Sequence, residues 1–149
     1  MLRTLSKGYS LAGLRFGYGI GCSELVRPMM EKTRDSYNMD AIAQQIGAAA
    51  LTHRDEAARS WQLVRQERKR LEQFFGELGW SCPRSETNFL LPQVADDQDA
   101  SRIHAELETQ GVLVRYFNHD GLRDRLRITV GNDRENDALI RALRTLLAG

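Results

Sequence analysis

Hydrophobic positions recur most regularly between about His53 and Leu78. Ala57, Trp61, Val64, Leu71, Phe75 and Leu78 fall at spacings of three, four and seven, which places them on one face of a long helix. Opposite charges four apart, Asp55–Arg59 and Arg68–Glu72, lend weak support to its solvated side. Gly79 is a natural stop. Beyond it, Glu86–Leu91 reads as a strand ended by Pro92, and Asp99–Gln110 as a helix ended before Gly111. Val112–Phe117 is a second strand, NHDG a turn, Arg125–Val130 a third strand, and Arg134–Leu147 a closing helix.

Upstream of residue 53 the pattern is less regular. LAGLRFGYGI predicts a turn feeding a short strand over Arg15–Ile20. SELVRPMMEKTRD predicts a helix interrupted near Pro28, because proline cannot donate to the helical ladder. YNMDAIAQQIGAAAL predicts a second helix, capped by Asn38 or Asp40, whose alanines permit close packing. From residue 53 onward the order helix, strand, helix, strand, strand, helix implies an α/β layer, with a small sheet covered by helices. The first fifty residues complete no layer of their own.

Composition narrows the class without choosing a function. The 149 residues are 42% hydrophobic and 28% charged, as in a globular protein. A formal net charge of +1 offers no global attraction to nucleic acid or anionic membrane, so neither is expected as a partner. Six Lys/Arg against three Asp/Glu over residues 1–39 make the first quarter locally basic, which suits an anionic ligand or a solvated face. Cys22 and Cys82 form no CxxC and no cluster with histidine, so neither a metal site nor a disulfide framework is expected, and a reducing cytoplasm is the default. His53, His104 and His119 are isolated and read as solvated or locally bonded.

The candidate chemistry begins at Lys7. Thr4 and Ser6 supply hydroxyls that can donate to an oxyanion, and Arg15 offers a rigid fork for a phosphate. A lysine amine forms a Schiff base with an aldehyde. Together these residue types are what a pyridoxal 5'-phosphate pocket requires, although composition and spacing alone favour an ordinary exposed lysine, and Arg15 also fits a surface arginine after a turn. In the strand LRITV, Leu126, Ile128 and Val130 share one face and leave Arg127 and Thr129 on the other. Arg127 then either points to a cleft or pairs structurally with Asp124 or Glu86.

Four ordered motifs carry a family resemblance. TLSKGYSLAGLRFGY at 4–18 resembles the lysine segment of the fold-type I pyridoxal-phosphate aminotransferases, most closely the histidinol-phosphate subfamily. SETNFLL at 85–91 and LRITVGNDRENDALIRAL at 126–143 follow in the same order, and YNMDAIAQQIGAAAL resembles a further segment, with Ser36 where proline is usual. The resemblance implies that Lys7 is the Schiff-base lysine and proton shuttle, and that Thr4, Ser6 and Arg15 hold the cofactor phosphate. It implies that Arg127 clamps a substrate carboxylate and that Arg115 meets a substrate phosphate. The implied partners are a phosphorylated amino alcohol with 2-oxoglutarate or glutamate, and a second copy in a cytoplasmic homodimer.

The implied architecture is a small C-terminal α/β sandwich domain preceded by a remnant of the large cofactor-binding domain. Residues 1–38 would be that remnant, 39–52 a connecting helix and 53–149 the small domain. The family's upstream phosphate loop and the aspartate that pairs with the pyridine nitrogen have no counterpart in this chain. The expectation is therefore the C-terminal portion of an enzyme, inactive by itself. An aromatic aminotransferase, a threonine-phosphate decarboxylase and a stand-alone binding or oligomerisation module are the alternatives.

Overall fold

The computed structural model describes residues 1–148 and divides into two compact units, Met1–Trp61 and a second that begins at Gln62. In the first, β1 (Leu2–Thr4) and β2 (Gly17–Gly19) form an antiparallel hairpin with Thr4 opposite Gly17 and Leu2 opposite Gly19. Gly17 is needed here, since a Cβ would stand 2.8 Å from the Arg3 carbonyl oxygen. The strand predicted over Arg15–Ile20 is thus confined to its centre. Arg15 instead ends a 3₁₀ turn (Ala12–Leu14) in the left-handed region, at φ 54°.

Helix α1 (Ser23–Pro28) does not simply break at its proline. It widens into a π-helical turn over Met29–Thr33, where the chain absorbs the missing donor. Helix α2 (Ala41–Thr52) starts at Asp40, whose carboxylate accepts from the Ala43 amide at 2.8 Å, so Asp40 rather than Asn38 is the cap. Gly47 of α2 is buried against the Phe16 ring, which a Cβ would meet at 3.2 Å. Of its alanines only Ala43 is buried, while Ala41, Ala48 and Ala49 are exposed, so the close packing expected of the alanines rests on Ala43 and Gly47.

Helix α3 (Arg54–Glu77) matches the strongest periodicity in the sequence, with Leu71 and Phe75 fully buried. Its polar face departs from expectation. Neither Asp55–Arg59 nor Arg68–Glu72 is among the ion pairs of the described residues. Arg68 is buried and reaches the Thr87 carbonyl at 2.8 Å and Glu86 at 3.0 Å. Gly79 ends the helix at φ 74°, and the Trp80 amide closes back on the Phe75 carbonyl at 2.9 Å.

The second unit is built on a three-stranded antiparallel sheet ordered β3–β5–β4, where β3 is Phe89–Leu90, β4 Arg115–Tyr116 and β5 Leu126–Thr129. All three are shorter than predicted. Before β3, the Ser85 and Thr87 hydroxyls lie within hydrogen-bond distance of each other and of the Phe89 carbonyl and share their two protons among these contacts, so that stretch closes into local turns instead of pairing. Helix α4 (Ala100–Thr109) is capped by Asp99. Helix α5 (Asp133–Leu147) opens with a reciprocal box in which Asn132 and Glu135 satisfy each other's backbone amides. Leu90, Ile103, Leu107, Leu126, Ile128 and Leu143 are almost wholly buried with Phe75, forming one closed core.

Candidate functional site

The hairpin determines which of the expected cofactor residues meet. Thr4 ends β1 opposite Gly17, and the Leu5 amide donates to the Phe16 carbonyl at 3.1 Å, extending the register by one residue. Arg15 therefore returns to the end of the hairpin where Ser6 and Lys7 leave it. The Thr4 hydroxyl donates to Ser6 Oγ at 2.9 Å, and the Ser6 amide donates back to Thr4 Oγ1 at 3.1 Å. That turn leaves the Ser6 hydroxyl proton free. Arg15 spends one donor on the Ala12 carbonyl at 3.1 Å and keeps the rest of its fork. Lys7 is exposed and is among neither the ion pairs nor the side-chain hydrogen bonds of the described residues.

This donor set suits the group the motif implies. The Ser6 hydroxyl proton and the remaining fork of Arg15 offer donors for a phosphate, and the exposed Lys7 amine is a nucleophile for an aldehyde. Arg15 also pays for its place. A non-glycine residue in the left-handed region costs about 1–2 kcal/mol, and Ser10, at φ 56°, shares that conformation.

Trp61 is the residue whose part here the periodicity did not reveal. It belonged to the apolar stripe of α3, yet its indole Nε1 donates to the Gly8 carbonyl, one residue past Lys7. Tyr9 meets the same ring edge-on, with centroids 5.4 Å apart at 85°. A Cβ on Gly8 would approach that indole nitrogen at 3.1 Å. The segment after Lys7 is thereby pinned inside the first unit. The long separation of Gly8 and Trp61 hides this in the sequence.

In the second unit, Arg115 and Arg127 stand directly opposite each other across β4 and β5. Leu126, Ile128 and Val130 are buried while Thr129 is exposed and Arg127 half-buried, the alternation expected of this strand. Like charges in register repel, so the pair favours an anion on this face. Neither arginine is among the ion pairs or side-chain hydrogen bonds of the described residues. Glu86 is engaged by Arg68 and Arg84, and Asp124 lies 3.8 Å from Arg125, which disposes of the structural pairings considered for Arg127. Each free guanidinium lies over a ring instead: Arg127 at 4.3 Å from the Phe89 centroid, Arg115 at 5.4 Å from that of Phe117.

The far end of β5 is held by a buried amide. Asn136 accepts from the Gly131 amide at 3.1 Å, donates to the Gly131 carbonyl at 3.0 Å, and donates to the buried Glu67 carboxylate at 2.7 Å. Arg70 closes the network by bridging Glu67 and Asp137, and its bond to Asp137 holds its guanidinium protonated even more firmly than usual.

The family model for aminotransferase class I and II matches residues 1–143. The chain belongs to that family. A curated relative, Histidinol-phosphate aminotransferase 1 of Nostoc sp., is 44% identical over 147 residues, covering 99% of this chain and 41% of the relative. The chain therefore spans about two-fifths of the length of such relatives. The histidinol-phosphate aminotransferase of Sinorhizobium meliloti, solved in complex with pyridoxal-5'-phosphate, superimposes with a TM-score of 0.79 at 27% identity, over 97% of this chain and 41% of that one. That of Clostridium acetobutylicum gives a TM-score of 0.85 at 21% identity, over 97% and 44% respectively, a likeness of fold alone. The mixed α/β architecture is that of part of a fold-type I aminotransferase.

No helix among the described residues is long and apolar enough to cross a membrane.

Proposed function

We propose that this chain is part of a pyridoxal-phosphate-dependent aminotransferase that exchanges an amino group between histidinol phosphate and 2-oxoglutarate, in histidine biosynthesis. The observation that carries the reading is 44% identity, over almost the whole chain, to a relative bearing that name. The reading includes a cytoplasmic homodimer, with residues 1–38 as the end of a large domain, 39–52 as a connecting helix and 53–149 as the small domain. The activity belongs to the longer protein.

Thr4, Ser6 and Arg15 would hold the cofactor phosphate, and Lys7 would hold its aldehyde through Nζ. When bound, the cofactor supplies an electron sink that makes a proton on the nitrogen-bearing substrate carbon removable. Lys7, once free, is the base that takes and returns that proton, with Trp61 steadying the segment that follows it. Arg127 orients the glutamate carboxylate with its fork, and Arg115 meets the phosphate of the amino alcohol. The unneutralised, in-register arginine pair supports this substrate assignment, because repulsion between the two is relieved by a ligand that brings negative charge.

A chimera tests the proposal, with this chain replacing the matching part of the Nostoc relative. Transamination of histidinol phosphate is expected, and Lys7→Ala should abolish it. Arg115→Ala should weaken use of histidinol phosphate while sparing glutamate. A folded chimera that binds the cofactor but fails to turn over histidinol phosphate, or equal losses for both substrates in the Arg115 variant, would refute the substrate assignment.

A further inference from the structure

Phe89 and Arg127 sit on different strands and are not direct cross-strand partners. Phe89 faces Thr129 in the β3–β5 ladder, and Arg127 is two residues before Thr129 on the same face. Phe89 and Arg127 are thus diagonal neighbours, within reach for an aromatic and a long side chain. Their contact is close, with the guanidinium carbon 4.3 Å from the ring centroid.

The kind of contact matters as much as its distance. Arg125, on the same chain segment, donates to Gln93 Oε1 at 2.9 Å and lies beside Asp124, so its donors and charge are partly consumed. Arg68 is committed likewise to Glu86 and the Thr87 carbonyl. An aromatic face attracts a guanidinium without supplying an acceptor in its plane. It restrains the side chain, leaves every in-plane N–H available and does not cancel the charge. An arginine meant to receive a carboxylate bidentately needs those three properties together.

We infer that Phe89 is a positioning residue for Arg127, holding the guanidinium over the sheet in a state ready to clamp a carboxylate. This rests on the reading of Arg127 as the carboxylate-binding residue. Phe89 itself touches no substrate in this account. It lowers the ordering cost that a free arginine would meet when it binds.

The inference is testable on the full 149-residue chain by nitrogen-15 NMR of the Arg127 side chain, with glutarate as the probe. In the unsubstituted chain the Arg127 Nε–Hε proton should lie upfield of the usual arginine position because of the ring beneath it, and should move on titration. Phe89→Leu should remove the upfield displacement and weaken glutarate binding about two- to five-fold, the size of an exposed cation–π contact. Phe89→Tyr, which keeps the ring, should behave as the original. Unchanged amide shifts at Leu90 and Ile128 would show an intact sheet. If Phe89→Leu fails to fold, the undisplaced or displaced resonance of the original chain decides instead, and an undisplaced one overturns the inference. Equal glutarate affinity in the original chain and Phe89→Leu would overturn the role of Phe89 and leave that of Arg127 standing. An Arg127 resonance indifferent to glutarate in the original chain would overturn both.

Discussion

The two units invest their apolar side chains differently. The second buries Leu71, Phe75, Leu90, Leu107, Leu126 and Leu143 in one core, while the first buries few large side chains, Leu5 chief among them. In the first unit Leu2 is 79% exposed, Leu25 62% and Tyr37 96%, and an apolar groove of about 640 Å³ runs between Leu2, Ile20, Leu25, Val26, Met29 and Met30. Yet the first unit carries the hydroxyls, the lysine and the strained arginine of the candidate cofactor site. Its local order comes from hairpin register, a cap and the Trp61 anchor more than from a core. Packing and chemistry are therefore separable here, and substitutions should reveal it.

The largest difference should appear on truncating apolar residues. Phe75→Ala should cost the second unit about 3–5 kcal/mol in urea unfolding, whereas Leu25→Ala, on an exposed face, should stay within about 0.5 kcal/mol. Comparable losses would erase the contrast between the units. Next in size is the buried amide: Asn136→Ala leaves the Gly131 backbone without its partner and Glu67 with Arg70 alone, and about 2–3 kcal/mol should be lost. A neutral effect there would mean that the end of β5 is not held as described. A smaller effect, of opposite sign, is expected at Arg15. Glycine tolerates the left-handed backbone, so Arg15→Gly should stabilise the first unit by about 1 kcal/mol while weakening phosphate binding. A thermal-shift series with inorganic phosphate separates the two consequences.

The smallest effect is electrostatic. Hydrogen bonds from the Ser101 hydroxyl and the Ser101 and Arg102 amides hold the Asp99 carboxyl below its ordinary value of 3.8. A carboxyl whose folded value is depressed contributes above the ordinary value and loses that contribution as pH falls through the folded one. Acid titration should therefore weaken the start of α4 only below about pH 4, and Asp99→Ala should flatten that dependence. An unchanged acid limb in the variant would show that the cap contributes nothing.

The same contrast explains what was legible in the sequence. The second unit announced itself because burial imposes periodicity. The α3 stripe from Val64 to Leu78, the alternation of β5 and the order of its elements are consequences of one closed core. What periodicity could not carry were contacts between distant residues: Trp61 with Gly8, Arg68 with Glu86, Phe89 with Arg127. Strand lengths were overestimated where serine and threonine hydroxyls compete for the backbone, as before β3. In the first unit, the lysine segment was legible through motif resemblance, since so little of it is buried. The left-handed conformation of Arg15 and the π-helical turn after Pro28 leave no hydrophobic pattern to read.

The claim at the centre of this account is that Lys7 lies in a turn arranged for a phosphorylated aldehyde. The chain has three lysines, Lys7, Lys32 and Lys69, and all are exposed, so accessibility alone favours none of them. Incubation with a limiting amount of pyridoxal phosphate, borohydride reduction and peptide mass mapping compares them within one molecule. The adduct should accumulate on Lys7 several-fold over the other two, and Arg15→Gly should remove that preference. Equal labelling of Lys7, Lys32 and Lys69 in the unsubstituted chain would contradict the claim.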